Sequence, residues 1–453
     1  MNTIAQLLRN VDPFPPARSL YVHIPFCFHK CHYCDFYSLV DSQDRQSLFT
    51  DRLIDELTAL APFSDRADPN PTADALAGTG PPGLRTIFVG GGTPTLLAPE
   101  HWDRLLGAIA SDYALADDLE FTVEANPETV SDALVATLAA GGVNRVSIGC
   151  QTFNATHLKT LERWHDPDNV PRAIERIRRG GISRISLDLI FGIPGQSLGD
   201  WADDLERAIA LEPEHLSCYA LTFEPGTAMT TRRDRGHITP IEEDLEADMF
   251  LLTRERLREA GYVDYEISNF ARPGAACRHN LVYWENGNWL AAGPSASGHM
   301  NGLRWKVLPH LAKYLASQGS SPLLEFERVP PATQIGERIM LGLRLTAGMD
   351  LHDLRRDIAA RLSPETLAAF EEALNHAIDN GELEVLGPMP PAWQAIGPND
   401  SNPAGSDVGL NGLNGLRLRL TEAGRLVADT VIARFMAAVD PPTRHPLAQI
   451  AGS

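Results

Sequence analysis

The sequence is short of positive charge. Its 39 lysines and arginines are outnumbered by 59 aspartates and glutamates, which leaves a formal net charge of −20. A protein that tracks a nucleic-acid backbone needs a surplus of cationic side chains to neutralise phosphates. The composition therefore argues against a nucleic-acid partner. The acidity itself indicates solubility and identifies no other partner.

Long apolar runs are missing as well. No stretch of the sequence approaches the roughly 20 apolar residues that a membrane-spanning helix needs. The N-terminus also lacks the basic segment followed by an apolar segment that marks a secretory signal. We therefore expect a cytoplasmic protein without a membrane span; peripheral association with a membrane stays open.

Cysteine is scarce, with 6 residues in the whole chain. Cys150, Cys218 and Cys277 lie far apart in runs that look buried, and we assign them no role. The other three are clustered, which suits a reducing compartment and a metal site better than a disulfide framework. The clustered residues are Cys27, Cys31 and Cys34.

Short apolar runs alternate with helical patterns from residue 20 to about residue 260. Such an alternation predicts an α/β fold with a parallel sheet, curled or closed as a barrel, whose strand ends face one common mouth. Predicted strands cover 20–26, 84–92, 119–127, 143–152, 182–195 and 215–226. Predicted helices cover 51–60, 101–110, 131–140, 169–179 and 200–210.

The remaining segments predict further domains. We expect an N-terminal extension over 1–19, the core over 20–260, a connecting region over 261–333 and a winged-helix-like α+β domain over 334–453. Two stretches rich in Pro and Gly interrupt this pattern. They are an exposed insertion at 61–83 and a flexible loop at 386–415.

The three clustered cysteines have CxxxCxxC spacing directly after the first predicted strand. A structural zinc site usually has four ligands in two paired halves, and no second half follows here. A 4Fe–4S cluster is bound by cysteine thiolates, so three of them would leave one iron open to an exogenous ligand. The spacing therefore favours an iron–sulfur cluster, with a structural zinc protein as a minor alternative.

This cysteine motif, with Tyr33 before the last cysteine, resembles that of the radical S-adenosylmethionine (radical SAM) superfamily. The glycine motif GGGTPT at 90–95 matches the family's binding segment for the methionine amino group. The resemblance implies a partial (β/α)6 barrel in which S-adenosylmethionine chelates the open iron. It also implies cofactor contacts at Tyr21, Tyr33, Gly91, Gly92, Thr93, Glu124, Gln151, Arg163 and Asp188. His23 fits the first motif too, but we assign it no chemistry.

Segments at 215–227, 265–280 and 420–435 narrow the resemblance to the HemN/HemW group. Its HemN-type members are oxygen-independent coproporphyrinogen III oxidases, and its HemW-type members are haem chaperones. The oxidases carry a further cysteine where this chain has Phe36. The segment HNLVYW at 279–284 matches a motif that the HemW type associates with haem.

The resemblance thus implies a haem chaperone that passes haem to an acceptor haemoprotein, with a radical-SAM coproporphyrinogen III dehydrogenase as the alternative. Haem contacts are implied at His279, Asn280, Tyr283 and Trp284. The imidazole is a possible iron ligand, and the aromatic rings offer flat apolar surface. In the competing interpretation His279 is a hydrogen-bonding link and the aromatic residues belong to the core. The oligomeric state stays open, a homodimer included.

Overall fold

The computed structural model describes residues 4–9, 16–65, 83–319, 321–387 and 415–440. The chain divides into two compact units. The first comprises Met1–Asp264, Ser268–His279 and Asn288–Glu327, and the second comprises Tyr265–Ile267, Asn280–Gly287 and Arg328–Ser453. Most of the predicted insertion at 61–83 and of the predicted loop at 386–415 lies outside the described residues. The predicted domain boundaries stay predictions.

The first unit is built on one nine-stranded sheet. Each of its first five strands pairs in parallel with the next one in sequence, so β1 to β6 form a parallel set, as the alternating pattern predicts. Two short strands continue the sheet antiparallel beyond the sixth strand, and another pairs with the first. The strands are β1 Ser19–Ile24, β2 Leu84–Gly91, β3 Leu115–Ala125, β4 Arg145–Gln151, β5 Arg184–Phe191, β6 His215–Ala220, β7 Val263–Asp264, β8 Asn269–Ala271 and β9 Leu290–Ala292.

The sheet order is β7-β8-β6-β5-β4-β3-β2-β1-β9. No pairing within the described ranges joins β6 to β1, so the six parallel strands form an open sheet rather than a closed barrel. The carboxyl ends of parallel strands lie at one edge, where α/β proteins place their ligands. The candidate site therefore has to be sought after β1 to β6.

Amphipathic helices cover the sheet. The helix at Asn169–Arg179 buries Val170, Ala173, Ile174 and Ile177, the spacing of one helix face. A small antiparallel sheet, β10 Ser297–Met300, β11 Leu303–Val307 and β12 Leu323–Arg328, completes this part. The helices are α1 Ile4–Arg9, α2 Gln46–Leu60, α3 Pro99–Asp112, α4 Asp132–Ala140, α5 Ala155–Thr160, α6 Asn169–Arg179, α7 Leu198–Ala210, α8 Ala228–Asp234, α9 Glu243–Glu259, α10 Arg278–Trp284 and α11 Leu311–Leu315.

The second unit has its own apolar core. Phe370 and Phe435 pack at its centre with ring centroids 5.5 Å apart, and both are fully buried. An antiparallel sheet in the order β13-β15-β14 joins the helices, as the winged-helix-like prediction expects. The elements are α12 Pro331–Gly342, β13 Met349–Asp350, α13 Leu351–Arg361, α14 Pro364–Asp379, β14 Leu383–Leu386, β15 Arg417–Leu420, α15 Glu422–Leu426 and α16 Ala428–Val439.

Every helix in the described part of the chain is too short or too polar to cross a membrane.

Candidate functional site

The glycine turn after β2 lies directly against the start of the cysteine loop. Gly91 adopts a φ of +109°, which favours glycine. A Cβ on Gly92 would lie 2.7 Å from the carbonyl oxygen of Phe26, so a side chain has no room there. The amide of Thr93 donates to that same carbonyl at 2.7 Å. Glycine at these positions lets two strand ends approach at backbone distance.

The cysteine loop leaves β1 and returns to it. The amide of Cys27 donates to the Leu39 carbonyl, and the amide of Leu39 donates to the Pro25 carbonyl, both at 2.9 Å. Within the loop, the Cys34 amide donates to the Cys31 carbonyl at 3.3 Å. These bonds close a compact loop that carries all three cysteines at the carboxyl edge of the sheet.

The surroundings of the thiols suit sulfur ligands. The Cys27 Sγ lies 3.4 Å from the Thr93 hydroxyl. Burial raises the pKa of Cys27, and it raises the pKa of Cys34 to about 11, so both are thiols until a metal displaces their protons. Arg163 lies beside Cys31, with Nη1 3.8 Å from its Sγ. A guanidinium there offsets the negative charge that thiolates acquire on binding iron.

The donor set fits an iron–sulfur cluster. A cubane cluster distributes its thiolates over different irons, so its ligands need not converge on one point. In the described part of the chain, no three His, Cys, Asp or Glu side chains are grouped around a single point.

Two acidic side chains face each other across β4. Glu124, on β3, accepts from the amide of Gly91 at 3.0 Å. Asp188, on β5, accepts from the hydroxyls of Ser147 at 3.1 Å and Ser217 at 2.7 Å. Burial and then the charge of Asp188 raise the pKa of Glu124 to about 7, and burial also raises that of Asp188. Sequence reasoning missed both serines, which stand at inward-facing strand positions.

The end of β4 brings two more predicted residues together. Gln151 has a φ of +66°, unusual for a residue with a side chain, and the register of β4 against β5 shifts there. The Gln151 amide and the Arg163 guanidinium both lie against Gly149, since a Cβ on that glycine would approach each within 2.9 Å. Arg163 Nη2 donates to the Gly149 carbonyl at 3.0 Å. Its Nε is buried without a partner, so a donor remains for a ligand.

The two predicted tyrosines lie at different places. Tyr33 packs at the edge of a small apolar cluster that includes Leu161 and Ile193. Burial raises the pKa of Tyr33, which keeps its hydroxyl protonated. Tyr21, on β1, donates its hydroxyl to Nδ1 of His23 at 3.1 Å and stacks on Phe88.

The HNLVYW segment forms most of α10, and His279 is 1% exposed. Its Nδ1 lies 2.8 Å from the hydroxyl of Thr86, and its amide donates to Glu120 at 3.1 Å. Burial lowers the pKa of His279 to about 3, so the imidazole is neutral. Thr86 and Phe88 of β2 both contact the ring, so in this structure the imidazole is a buried, hydrogen-bonded group.

His279 packs beneath the glycine turn, beside a predicted cofactor contact. Its ring centroid lies 5.4 Å from that of Phe88 on β2 and 6.5 Å from that of Tyr21 on β1. Its hydrogen-bond partner Thr86 precedes Gly91 on β2 by five residues, so the imidazole lies on the amino-terminal side of the turn.

The other residues of this segment lie in the second unit. Asn280 donates to the hydroxyl of Tyr265 at 3.2 Å, and the Arg344 guanidinium lies 5.9 Å from the Trp284 ring centroid. The Trp284 indole nitrogen is buried without a hydrogen-bond partner. Tyr283 is partly buried.

Comparison with known proteins identifies the family. The model of the radical SAM superfamily matches residues 21–208. A protein of Lactococcus lactis named heme chaperone HemW is 36% identical over 73% of this chain and 82% of its own length. One of the same name from Mycobacterium tuberculosis is 33% identical over 92% of this chain and 94% of its own.

Among solved structures, the coproporphyrinogen III oxidase HemN of Escherichia coli superimposes with a TM-score of 0.72. The match covers 95% of this chain and 92% of that one at 22% identity, a likeness that establishes the fold. The long sequence matches to HemW proteins go further, and the superfamily implies a 4Fe–4S cluster and S-adenosylmethionine. The chain belongs to the HemW family of radical SAM proteins.

Proposed function

We propose that this chain is a haem chaperone that binds a 4Fe–4S cluster, S-adenosylmethionine and haem, and passes haem to an acceptor haemoprotein. The observation that supports it most is the similarity to HemW proteins, which covers 73% of the chain for one relative and 92% for another. The loop of three thiols beside a glycine turn supports the cluster independently. Phe36, which cannot ligate iron, weighs against the coproporphyrinogen dehydrogenase alternative.

Cys27, Cys31 and Cys34 would hold the cluster, which supplies an iron with an open coordination position when bound. Thr93 lies within hydrogen-bonding distance of the first of these sulfurs, and Arg163 lies beside the second. Both groups stabilise negative charge on sulfur. The chain thus provides three ligands and the electrostatic environment that they need.

S-adenosylmethionine would bind across the strand ends beside the cluster. Gly91, Gly92 and Thr93 would contact it through backbone atoms other than their amides. Those amides already donate to the Glu124 carboxylate and to the carbonyls of Ile24 and Phe26. Glu124 presents a carboxyl whose pKa lies near neutrality, able to accept from the cofactor's amino group when ionised. The remaining contacts would come from Tyr21, Tyr33, Gln151, Arg163 and Asp188.

Haem would bind through the HNLVYW segment, with His279, Asn280, Tyr283 and Trp284 as contacts. A neutral imidazole is the form that ligates iron, and burial keeps His279 neutral. Ligation through Nε2 is compatible with the bond of Nδ1 to Thr86, but it requires the buried ring to become uncovered. Haem binding at His279 is therefore coupled to a local rearrangement around α10.

We place the protein in the cytoplasm, since its six cysteines, all within the described residues, form no disulfide and so suit a reducing compartment. The acceptor is a haemoprotein, and a homodimer is one possible assembly.

The test is anaerobic reconstitution of the full chain, followed by haem titration and a coproporphyrinogen turnover assay on the same sample. We expect about four irons per chain, as one cubane requires, a saturable Soret band, and no turnover. Adding S-adenosylmethionine should perturb the electron-spin resonance spectrum of the reduced cluster. Turnover of coproporphyrinogen without haem binding would establish the dehydrogenase alternative instead.

A further inference from the structure

His23 stands between the cysteine loop and the glycine turn, and its hydrogen bonds fix its protonation. Its Nε2 lies 2.8 Å from the Tyr37 carbonyl oxygen, which can only accept, so this nitrogen carries the proton. Nδ1 is then an acceptor and receives the hydroxyl of Tyr21 at 3.1 Å. Burial lowers the pKa of His23 to about 4, so the ring stays neutral. Both nitrogens are therefore engaged in defined directions.

The ring also fills the space beside Gly91. A Cβ on Gly91 would lie 2.5 Å from two atoms of the imidazole, so the backbone of the turn packs directly on the ring. The backbone of His23 pairs with that of Gly90 in the sheet. One side chain thus supports the turn that would bind the cofactor's amino group.

Tyr37 belongs to the return of the cysteine loop, three residues after Cys34. Its carbonyl accepts from His23, while its hydroxyl accepts from the Leu311 amide at 2.7 Å. Two residues later, Leu39 pairs with Phe26 as an isolated bridge. The His23 bond therefore fixes the loop close to its last cysteine.

We propose that His23 is a positioning residue that sets the cysteine loop against the glycine turn. It touches neither iron nor cofactor; it acts through Tyr37 on one side and Gly91 on the other. This inference deepens the proposed function and rests on it, since the two segments are the ones that would hold the cluster and S-adenosylmethionine.

The test compares full-length wild type, His23→Leu and His23→Gln after anaerobic reconstitution. Loss of an outer-shell hydrogen bond typically weakens metal binding by about 10- to 100-fold, so His23→Leu should release iron to a chelator that much more readily. Its electron-spin spectrum should also respond more weakly to S-adenosylmethionine. In His23→Gln a side-chain amide N–H can replace Nε2–H as the donor. This variant should therefore keep most of the wild-type iron retention and most of the wild-type spectral response to S-adenosylmethionine.

His215→Leu is the matched control for general destabilisation. His215 is also buried, with Nδ1 2.8 Å from the Ser186 hydroxyl, but it stands at the start of β6. We expect this variant to keep its iron even where its melting temperature falls. Wild-type chelator resistance and spectral response in His23→Leu would overturn the inference. Equal iron loss in both leucine variants would also overturn it. If wild type takes up no cluster, the proposed function fails first and the inference falls with it.

Discussion

Arg163 contacts several parts of the candidate site, and its position accounts for much of the chemistry there. One nitrogen of its guanidinium, Nη1, lies 3.8 Å from the Cys31 sulfur, and another, Nη2, donates to the Gly149 carbonyl at 3.0 Å. Burial disfavours its charge, but the ionised forms of Tyr33 and Cys31 attract the guanidinium more strongly, so the pKa of Arg163 is raised. The thiols thus lie beside a permanent positive charge.

Each thiol of the loop is expected to be needed for the cluster. Replacing Cys27, Cys31 or Cys34 by Ala should abolish the broad charge-transfer absorption of the reconstituted protein, because three thiolates leave no spare ligand. Cys218→Ala is the control, since this buried cysteine lies within β6. Iron content and visible absorption are measured for the three loop variants and the control. Full iron in any of the three loop variants would refute the assignment.

Glu124 makes the stability of the protein depend on pH in a defined direction. Its pKa rises from an ordinary 4.5 to about 7 in the folded chain. The folded state therefore holds a proton that the unfolded state releases, and the contribution of Glu124 falls as pH rises between these values. At 1.36 kcal/mol per pKa unit the fall is at most about 3 kcal/mol, an upper value because the side chain is partly exposed.

Glu124→Gln should remove this dependence. The difference in unfolding free energy, wild type minus variant, should decline from about pH 4.5 to about pH 7 and stay level on either side. Denaturant unfolding of the cluster-free chain at several pH values measures it. The buried histidines add a pH dependence of opposite sign to the unfolding free energy of both proteins, and this part cancels in the difference. A difference that stays constant with pH would contradict the raised pKa.

His279 illustrates what the sequence could and could not predict at this scale. The three clustered cysteines were predicted from their spacing, and the other cofactor contacts from the resemblance to the radical SAM superfamily. The enclosure of His279 depends on Thr86, which is 193 residues away in sequence. No local pattern encodes such a contact, and periodicity cannot tell a buried imidazole from a presented one. Ser147 and Ser217 were missed for the same reason.

At the scale of elements, the six parallel strands were predicted in type and order because their apolar runs end at Gly, Pro or Asn. The observed bounds differ from the predicted ones where pairing with a neighbouring strand, rather than the local sequence, sets the end of a strand. The third strand was predicted over 119–127 but begins at Leu115, since Leu115 pairs with Leu84 across a register shift. The polar residues of this extension give no strand signal. The sixth strand ends at Ala220, well before the predicted residue 226.

The first turn of α10 is hydrogen-bonded to a side chain of β3. Glu120 is 1% exposed and accepts from the amides of Arg278 and His279, both at 3.1 Å. Arg278 also donates to the Asp118 carbonyl at 2.5 Å. A carboxylate from a distant strand thus caps the helix that carries HNLVYW.

Glu120→Ala should loosen this helix. Leaving two buried amides without acceptors costs about 1–3 kcal/mol each, so the unfolding free energy should fall measurably. Amide hydrogen exchange at Arg278 and His279 should accelerate. Glu120→Gln keeps one acceptor oxygen. Its unfolding free energy and its amide exchange rates should lie between those of wild type and Glu120→Ala. Unchanged exchange in Glu120→Ala would show that the cap does not hold the helix.

At the scale of the whole molecule, the proposed haem motif begins next to a proposed cofactor contact. Thr86, the hydrogen-bond partner of His279, lies on β2 five residues before Gly91. The His279 ring centroid lies 6.5 Å from that of Tyr21. Haem ligation at His279 and cofactor binding at Tyr21 would therefore take place at neighbouring rings.

Transfer is the property that distinguishes a chaperone from a dead-end binder. Haem-loaded wild type, mixed with an apo-haemoprotein, should lose its own Soret band as the acceptor's band grows. His279→Ala should shift the Soret band of the donor, because an axial ligand changes. Trp284→Ala and Tyr283→Ala should weaken haem binding but keep the band position, since each loses apolar contact worth about 1–3 kcal/mol. An unshifted band in His279→Ala would remove this residue as the iron ligand and leave it as the buried link to Thr86.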